Sequence, residues 1–588
     1  MKKKKRANRP IKQSVKPILA GVLFVFIVLL IALLSNIIKK YTPTSEHIKL
    51  AKYFNIETED QVGLVIQDEI IEKKAKLIDG VVYLEYNLVR DNLNERFYWD
   101  SNENKLLYAL PQDLISVDVG SKDYYVGKKK NTKNYAIIKV EGDTAYIAVD
   151  FIKEYTDMDY NFFKEPNHVM IVNEWNEVLE TSLKKDSEIR LLGGIKSPIV
   201  EDLKKGETVT LLEKGKTWSK VRTKSGFLGY IKNNKLNQAK EVKVNREFKQ
   251  PEYTNIKKDY TINMVWHQIT NADANGTLLE AIAKTKGVNT ISPTWFALSD
   301  EEGNISSLAS QSYVNYAHQL GIEVWALVSN FEVEVDTNKV LSYTSKREKL
   351  INQLIAEAIE YNLDGINVDF EELSKETGDA FLQFIRELSI KCRNNDIVLS
   401  IDNYVPMSHT AFYNRKEQGI VADYVVIMGY DEHYEGSEEG SVASKSFVET
   451  GIINTLKEVP AEKVILGIPF YTRIWKETPK TKEEIAKEDP NTDYVPYNLT
   501  SVPAGMETVE KMLKGYNVTP VWDEKLGQYY AQILEKNEGC TYKIWLEAGK
   551  SIEEKLKLMK THKLAGVAEW KLGLEKSEIW DIILKYVN

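Results

Sequence analysis

The feature that most constrains the fold is a set of eight apolar segments that alternate with helical segments from Tyr260 to the C-terminus. The apolar segments are Ile262–Trp266, Thr290–Trp295, Glu323–Val328, Gly365–Phe370, Ile397–Ile401, Tyr424–Met428, Val464–Ile468 and Gly566–Trp570. Their nearly continuous apolar character is typical of parallel strands that are buried on both faces. Eight such strands alternating with helices predict a C-terminal (β/α)8 TIM barrel at residues 259–588.

The connection after the seventh predicted strand is too long to be only a loop and a helix. Residues from about 474 to 546 contain strand-like segments of their own, such as Pro520–Trp522 and Thr541–Trp545. We therefore predict a small α+β insertion at residues 474–546 that forms one wall of a cleft.

The fourth predicted strand carries polar side chains at a strict two-residue spacing. Its polar members are Asn367, Asp369 and Glu371, and the apolar residues Ile366, Val368 and Phe370 alternate with them. In an extended segment these two sets point to opposite faces, so the three polar groups share one face. Helical segments at Glu348–Tyr361 and Thr377–Arg393 flank this strand. Carboxylates at the end of a strand between helices lie where parallel α/β folds place their chemistry.

The pattern Asp-Gly-x-Asn-x-Asp-x-Glu at residues 364–371 resembles the signature of the family 18 glycoside hydrolases, the chitinase-like (β/α)8 enzymes. Three other strand ends carry the segments Met428-Gly429-Tyr430-Asp431, Gly467-Ile468-Pro469-Phe470-Tyr471-Thr472-Arg473 and Gly566-Val567-Ala568-Glu569-Trp570. They resemble the family's Met-x-Tyr-Asp, its Gly-x-Pro-x-Tyr-x-Arg and its last strand, which ends in tryptophan. One such motif alone is weak evidence, whereas four in the family's order are specific. The resemblance covers residues from about 260 to 588.

The resemblance implies a role for individual residues. Family 18 enzymes use the acetamido carbonyl of the substrate as the nucleophile, form an oxazolinium ion and retain the anomeric configuration. The implied catalytic residues are Glu371 as the general acid and then the base, Asp369 as the group that orients the acetamide, and Tyr430 as the donor to the acetamido oxygen. The implied substrate-binding residues are Asn367, Met428, Asp431, Tyr471, Arg473 and Trp570, the last as an apolar floor under the sugar ring. Carboxylates two residues apart on one face also repel each other, which raises one pKa, as an acid catalyst requires.

Asn367 departs from the usual family pattern, because most chitinases carry aspartate at this position. An aspartate can share a proton with the next aspartate, whereas asparagine forms only neutral hydrogen bonds. We expect a shifted pH profile with retained activity, because the acid Glu371 is present. The form with Asn367 most resembles the branch that acts on bacterial cell wall and spore cortex. Asp364 is predicted to have a structural role at the start of the strand.

The predicted function is cleavage of β-1,4-linked N-acetylglucosamine polymers by an N-acetylglucosaminidase or a chitinase, with peptidoglycan favoured over chitin. The alternative is a catalytically silent glycan-binding surface protein on the same fold, a class that typically lacks the acid. A formal net charge of −8 argues against nucleic acid as a partner. The sequence predicts no metal or cofactor, because no Cys/His cluster has ligand spacing and no phosphate-binding glycine loop is present. Cys392 and Cys540 are expected to be buried and unpaired.

An uncharged apolar run at residues 17–38 follows a strongly basic tail at residues 1–16. About 20 apolar residues span a bilayer as a helix, and basic residues before the run place the N-terminus in the cytoplasm. These features predict a single-pass anchor in the cell membrane, with the catalytic domain outside the cell. A cleaved signal peptide is the alternative, although the run is longer than a typical signal core and lacks a small-x-small site.

Two further modules are predicted between the anchor and the barrel. Val82–Val89 is echoed by Ala145–Ile152, and each copy continues into an aromatic strand and a second strand, which predicts a duplicated α+β stalk at residues 45–175. This stalk resembles the duplicated domain at the N-termini of copper amine oxidases, here without a histidine cluster for copper. We interpret it as a spacer or a module that contacts the wall.

Short strands from Glu188 to Asn234 predict a small all-β barrel at residues 186–235 that resembles a bacterial SH3 domain. By this resemblance Trp218 and Tyr230 are candidates for binding wall peptides, and the alternative is that both fill the small core. Residues 236–258 are charged and predict a linker.

Overall fold

The computed structural model describes residues 15–243, 248–485 and 496–587. The chain divides into two compact units, Met1–Asn94 with Val140–Gln250, and Glu95–Lys139 with Pro251–Asn588. The predicted stalk at residues 45–175 is therefore shared between the two units. The predicted basic tail lies outside the described residues except for its last two positions.

The first unit begins with a long helix, Val15–Tyr41. Its segment Ile18–Tyr41 is long and apolar enough to cross a membrane, and the large apolar side chains along it are exposed. A helix that is apolar on all sides needs an apolar environment around it. The structure thus places one such helix where the sequence predicts an anchor.

A seven-stranded mixed sheet follows in the first unit. In spatial order its strands are Asp159–Phe163, His168–Val172, Gln61–Ile66, Glu69–Ile78, Val81–Glu85, Thr144–Ala148 and Ile138–Glu141. The short helices of this region are Leu50–Tyr53, Tyr86–Asn92 and Val149–Tyr155. The strands of the two predicted repeat copies pair antiparallel, with Ala148 opposite Tyr83, and each continues into a short helix. The duplication itself remains a prediction.

A second, antiparallel sheet completes the first unit. In spatial order its strands are Ile199–Leu203, Ser187–Arg190, Leu228–Lys232, Trp218–Arg222, Thr208–Glu213, Val178–Ser182 and Lys240–Val242, with a 3-10 turn at Asn233–Lys235. Leu183, Ile189, Val209, Val221 and Ile231 belong to one small core within it. The predicted short strands are present, and the likeness to an SH3 domain remains a prediction.

The second unit includes a meander of five antiparallel strands that comes from the predicted stalk. Its strands are Phe97–Asp100, Lys105–Ala109, Leu114–Asp118, Asp123–Val126 and Lys129–Thr132. Tyr98 and Leu107 belong to the same hydrophobic core as the barrel helices. Asp100 also accepts hydrogen bonds from the backbone and hydroxyl of Thr344, at 2.7 and 2.6 Å. The meander is therefore part of the barrel's own packing.

The rest of the second unit is built on a closed barrel. The eight barrel strands, in chain order, are Ile262–His267, Thr290–Leu298, Glu323–Ser329, Gly365–Asp369, Val398–Tyr404, Tyr424–Met428, Val464–Pro469 and Gly566–Trp570. Each pairs in parallel with its neighbours, and the first pairs with both the second and the eighth. Closure brings the first and eighth strands so close that a Cβ at Gly566 would overlap the carbonyl oxygen of Ile262. The predicted eight-stranded barrel is confirmed.

Helices surround the barrel and cover its outer face. They are Leu278–Ile282, Gln311–Gln319, Thr337–Leu341, Thr344–Glu360, Gly378–Asn394, Arg415–Val421, Lys445–Thr455, Gly549–Thr561 and Glu578–Val587, with 3-10 segments at Ala272–Thr277, Lys375–Thr377, Ser408–Tyr413 and Ala461–Lys463. A short strand, Ile305–Ser307, pairs antiparallel with the second barrel strand. In Thr344–Glu360 the residues Leu350, Ile351, Leu354 and Ile355 are buried, which is the spacing of one helix face packed on a core.

An α+β segment separates the seventh and eighth barrel strands, where the sequence predicts an insertion. Its strands are Tyr471–Pro479, Tyr497–Gly505, Val521–Asp523, Gln528–Glu535 and Cys540–Leu546, and its helices are Lys482–Ile485 and Met506–Gly515. Part of the predicted insertion, residues 486–495, lies outside the described residues. Cys392 and Cys540 are both buried and form no disulfide.

Candidate active site

The polar face of the fourth barrel strand points into the barrel, and its apolar face points outward. Ile366 and Val368 belong to the core between strands and helices. Phe370 stacks on Phe384 of a covering helix, with ring centroids 5.4 Å apart. Because side chains alternate along a strand, Asn367 and Asp369 must face the interior.

Asn367 lies at the centre of a hydrogen-bonded network inside the barrel, and it is fully buried. Its carbonyl oxygen accepts from the indole N–H of Trp266 at 2.9 Å and from the hydroxyl of Ser292 at 3.1 Å. Its amide nitrogen donates to the hydroxyl of Ser400 at 3.0 Å and to Oδ1 of Asp402 at 2.8 Å. An asparagine amide offers two acceptor and two donor positions, and all four are used here.

Asp369 lies one step further along the strand, beside a second buried carboxyl. Asn367 is opposite Ser400 and Val368 is opposite Ile401 in the register, so Asp369 and Asp402 occupy the same level on neighbouring strands. The two residues are 4% and 2% exposed. Burial first, and then the carboxyls of Asp402 and Glu371, raise the pKa of Asp369 well above its ordinary value. Burial also raises the pKa of Asp402 well above its ordinary value, although the Asn367 amide opposes this.

Glu371 lies just beyond the strand end, at the rim of the barrel, and is partly buried. Its backbone is held by Asn330, which donates to the Glu371 carbonyl at 3.0 Å and accepts from its N–H at 2.9 Å. Its carboxyl accepts a hydrogen bond from the hydroxyl of Tyr404. Burial raises the pKa of Glu371, the Tyr404 hydroxyl partly opposes this, and Asp431 adds to it. A cavity of 760 Å³ opens beside this residue, between the loops 330–338 and 371–377.

Residues after the sixth and seventh strands form the opposite side of the site. The rings of Tyr430 and Tyr471 pack edge to face, with centroids 6.3 Å apart. Tyr471 donates to Asp431 at 2.5 Å, and Arg473 donates to Ser501 at 2.9 Å. Burial, and then the nearby carboxyls of Asp369 and Asp402, raise the pKa of Tyr430 well above its ordinary value, so this hydroxyl is kept as a donor.

Trp570 and Met428 end the eighth and sixth strands. The Trp570 indole is half-buried and packs edge to face on Trp266, with centroids 5.9 Å apart. Met428 is 7% exposed. Eight of the nine residues predicted for the barrel site therefore lie at or just beyond the ends of strands four, six, seven and eight, and Asn367 lies two residues before the end of strand four.

Three other predicted residues lie elsewhere. Asp364 is at the opposite end of the fourth strand, where it accepts from the backbone of Val324 at 2.8 Å and contacts His318 at 2.7 Å. Its contacts contribute to the fold and do not reach the site. Trp218 and Tyr230 belong to the first unit and are half-buried there.

Six residues that support this site lie outside the motifs recognised in the sequence. They are Trp266, Ser292, Asn330, Ser400, Asp402 and Tyr404. A signal was present in the fifth strand, because Ser400, Asp402 and Tyr404 continue the two-residue alternation beyond the predicted end at Ile401.

The arrangement is suited to proton chemistry. Two adjacent buried carboxyls cannot both ionise at moderate cost, so one of them retains a proton. A partly buried acid with a raised pKa beside an open cavity can deliver a proton to a bound substrate. Within the described ranges, no group of three His, Cys, Asp or Glu side chains is placed to hold a metal ion.

Two parts of this chain match known protein-family models. Residues 304–575 match the model of glycosyl hydrolases family 18, and residues 65–171 match that of the copper amine oxidase N-terminal domain. The uncharacterized glycosylase YvbX of Bacillus subtilis (strain 168) is 27% identical over 312 residues, which are 51% of this chain and 84% of that protein. The cortical fragment-lytic enzyme of Bacillus anthracis is 24% identical over 263 residues, which are 44% of this chain and only 57% of that enzyme.

A solved structure supports the fold. The C-terminal domain of a putative chitinase from Desulfitobacterium hafniense DCB-2 superposes with a TM-score of 0.50 at 20% identity, and the match covers 56% of this chain and all of that domain. At this identity the likeness concerns the fold alone. The family match begins at residue 304, so it includes the third to eighth barrel strands and excludes Trp266 and Ser292.

Proposed function

We propose that this chain, whose residues 304–575 form a domain of glycosyl hydrolases family 18, is a glycoside hydrolase of β-1,4-linked N-acetylglucosamine polymers. The family supports the reaction class, and the glycosylase and lytic-enzyme names of its relatives agree with it. The substrate, the stereochemistry and the cellular location are proposed in addition to the reaction class.

One observation carries the proposal. Asn367, Asp369 and Glu371 follow one another along the inward face of the fourth strand, and their burial decreases from the fully buried Asn367 to Glu371, which is partly exposed at the rim. A protein that only binds sugar gains nothing from burying Asp369 and Asp402 together, because placing carboxyls in a low-dielectric interior costs folding free energy. In a hydrolase the same burial keeps a proton on one of these two carboxyls. The pair lies next to Glu371, the acid that borders the cavity.

The proposed reaction begins with Glu371, which donates its proton to the glycosidic oxygen. The acetamido carbonyl oxygen attacks the anomeric carbon as the glycosidic bond breaks, and an oxazolinium ion forms. Asp369 accepts the acetamide N–H and balances the positive charge, and Tyr430 donates to the acetamido oxygen. Glu371, now ionised, then takes a proton from a water molecule. This water attacks the anomeric carbon and opens the oxazolinium ring, so the anomeric configuration is retained overall.

The remaining predicted residues shape the sugar site in this proposal. Trp570 forms an apolar floor beneath the reacting ring, and Met428 contributes apolar contact beside it. Asp431, Tyr471 and Arg473 form a linked polar wall through the Tyr471–Asp431 hydrogen bond.

Peptidoglycan is the favoured substrate and chitin the alternative. Two relatives carry names that refer to the spore cortex or to sporulation, namely the cortical fragment-lytic enzyme and a putative sporulation-specific glycosylase. The apolar helix Ile18–Tyr41 would hold the barrel close to the wall of its own cell. We propose that this helix anchors the protein with its N-terminus in the cytoplasm. A mature N-terminus beyond residue 41 in the isolated protein would show instead that the segment is cleaved.

The decisive experiment uses the full-length chain in mild detergent with purified peptidoglycan sacculi, and it measures released reducing ends. Glu371→Gln should lower the rate by about 10²- to 10⁴-fold, the usual contribution of a general acid. Glu372→Gln is the matched control, because Glu372 is the exposed neighbour and should retain most of the activity. N-acetylglucosamine oligomers in a parallel assay separate chitinase from wall-lytic activity.

The alternative function is a glycan-binding surface protein without catalysis. It would be supported if the wild type and Glu371→Gln bound sacculi equally and neither released reducing ends. Equal binding together with cleavage by the wild type alone would exclude it.

We further propose that the all-β module at residues 186–235 contacts wall peptides through Trp218 and Tyr230. Both rings border Gly193, where a Cβ would lie 3.3 Å from the Cβ of Trp218 and 3.6 Å from Cδ1 of Tyr230. Lys232 lies 5.5 Å from the Trp218 ring centroid. Trp218→Ala should weaken co-sedimentation with sacculi and leave cleavage of soluble oligomers unchanged, whereas unchanged co-sedimentation would contradict the proposal.

A further inference from the structure

A second buried aspartate, Asp402, stands directly beside the predicted catalytic aspartate. It is on the fifth barrel strand, at the same level as Asp369, and it is 2% exposed. Its Oδ1 accepts a hydrogen bond from the Asn367 amide at 2.8 Å. The motif of the fourth strand does not include it, so its role has to be derived from its surroundings.

The surroundings of Asp402 are acidic or neutral. Its ionisable neighbours among the described residues are Asp369, Glu371 and Tyr430, which come from the fourth strand, the loop after it and the loop after the sixth strand. Asn367 adds a neutral amide. Oδ1 of Asp369 has no hydrogen-bond partner among the described residues. Two neighbouring carboxyls in a buried site, with acids as their charged neighbours, are expected to hold one proton between them.

The network around Asn367 decides which carboxyl keeps that proton. The indole N–H of Trp266 is a donor only, so the atom that it meets must be the carbonyl oxygen of Asn367. The hydroxyl of Ser292 contacts the same oxygen. The amide therefore cannot flip, and its N–H must point at Asp402. A fixed N–H donor stabilises an ionised carboxylate, so the hydrogen bond from Asn367 favours the negative charge on Asp402 and the proton on Asp369.

We propose that Asp402 is a positioning residue that shares a proton with Asp369 and so supplies, from the fifth strand, the carboxyl that Asn367 does not provide. This inference rests on the proposed function. When the substrate acetamide N–H approaches, the proton passes from Asp369 to Asp402, and Asp369 becomes the anion that accepts the N–H. The pair keeps a single negative charge throughout, so no other proton donor or acceptor is required.

The test compares Asp402→Asn with the exchange of both residues, Asn367→Asp with Asp402→Asn. The assay follows cleavage of a fluorogenic N-acetylglucosamine oligomer by the full-length chain in detergent, over a range of pH. Asp402→Asn should lower kcat by about 10- to 100-fold, up to the loss of about 10²-fold that a misplaced catalytic group causes, with KM little changed. The acid limb of its pH–kcat profile should move to higher pH. The reason is that the single negative charge must now form on Asp369, which receives no hydrogen bond from the Asn367 amide.

The exchange should recover most of the lost kcat and return the acid limb towards the wild type. In that variant the carboxylate at position 367 accepts from Trp266, Ser292 and the new amide at position 402. A merely structural role for Asp402 would not predict this rescue. Asp379→Asn is the matched control, because Asp379 is an exposed carboxyl in the first turn of the next helix, and it should leave both kcat and the acid limb unchanged.

The inference is overturned if folded Asp402→Asn keeps the wild-type kcat and acid limb, or if the folded exchange variant is as slow as Asp402→Asn. Should the exchange variant not fold, the acid limb of Asp402→Asn decides alone. A wild type that cleaves, with an inactive Glu371→Gln and an unaffected Asp402→Asn, refutes this inference and leaves the proposed function intact. Absence of cleavage by the wild type overturns both.

Discussion

Removal of the Tyr404 hydroxyl tests how the protein sets the proton affinity of Glu371. This hydroxyl donates to the Glu371 carboxyl and accepts from the backbone N–H of Glu372 at 3.2 Å. A donor of this kind stabilises the ionised carboxylate and lowers its pKa. In Tyr404→Phe we therefore expect the pKa of Glu371 to rise further above its ordinary value.

The size of the shift follows from the bond that is lost. A hydrogen bond to a charged group contributes about 1.5–3 kcal/mol, and one pKa unit corresponds to about 1.4 kcal/mol. Glu371 is only partly buried, so water replaces part of the lost interaction and the shift should be roughly 0.5 to 1 unit. In the proposed reaction Glu371 acts in its protonated form, so we expect activity to fall as the pH rises through its pKa. The alkaline limb of kcat/KM should move to higher pH by that amount.

The assay is the pH dependence of kcat/KM on a soluble N-acetylglucosamine oligomer. Tyr413→Phe is the matched control, because its hydroxyl lies nearby but donates to the carbonyl of Phe370 at 3.2 Å. The control should leave the alkaline limb in place, and thermal melting should show that both variants are folded. An unchanged limb in Tyr404→Phe, or a shift to lower pH, would refute the assignment of Glu371 as a proton donor tuned by Tyr404.

Three further outcomes can be measured. Asn330→Ala removes both bonds that hold the backbone of Glu371, the proposed catalytic acid. It should lower kcat by about 10²-fold with little change in KM, and a change confined to KM would contradict this role. Glu569 is fully buried, neither of its carboxyl oxygens has a hydrogen-bond partner among the described residues, and burial raises its pKa well above the ordinary value. The wild type therefore loses stability as the pH rises above the unfolded pKa of about 4.3. Denaturant unfolding should show Glu569→Leu more stable by about 1–4 kcal/mol near neutral pH, with a difference that shrinks in acid, and a difference independent of pH would refute this. Glu417 is buried between Arg96 and Arg386. Burial raises the pKa of Glu417, but the two arginines lower it more. The ionised Glu417 therefore stabilises the fold above its unfolded pKa, and this stabilisation is lost as the pH falls through its folded pKa. Glu417→Gln should destabilise the fold by about 3–5 kcal/mol near neutral pH, and equal melting of the two proteins there would contradict this.

The inward face of the fourth strand could be predicted because it depends only on local sequence. The alternation of apolar and polar residues from Ile366 to Glu371 sets the inward face without reference to the rest of the chain, and the structure has these residues where the alternation predicts them. The fifth strand was predicted to end at Ile401, and it continues to Tyr404. Its last residues pair in parallel with the sixth strand, where Tyr404 lies opposite Met428. Such pairing depends on a neighbour that the local sequence does not reveal.

The place where residues 95–139 pack in the fold could also not be predicted from local sequence patterns. Phe97-Tyr98-Trp99 matches the second repeat copy in sequence, which grouped it with the stalk. In the structure Tyr98 packs in the core of the barrel unit, and the guanidinium of Arg347 lies 4.8 Å from its ring centroid. The repeat pattern predicts the elements, but which surface they cover depends on contacts made far away in sequence. A catalytic fragment that begins at residue 260 would expose this helical face, so the full chain is the better protein for every assay above.

Asn367 and Asp402 belong together as one electrostatic arrangement. Asn367 uses both acceptor positions for Trp266 and Ser292 and turns its donors to Ser400 and Asp402. An aspartate at position 367 could keep the two donors but would present an acceptor to Asp402, and two facing acceptors require an additional proton. The interior thus supports one charge beside Asp369, either on the fourth strand or on the fifth, and the residue at one position determines what the other must be. The asparagine at position 367 is therefore explained by its pairing with Asp402, and not by the motif of the fourth strand alone.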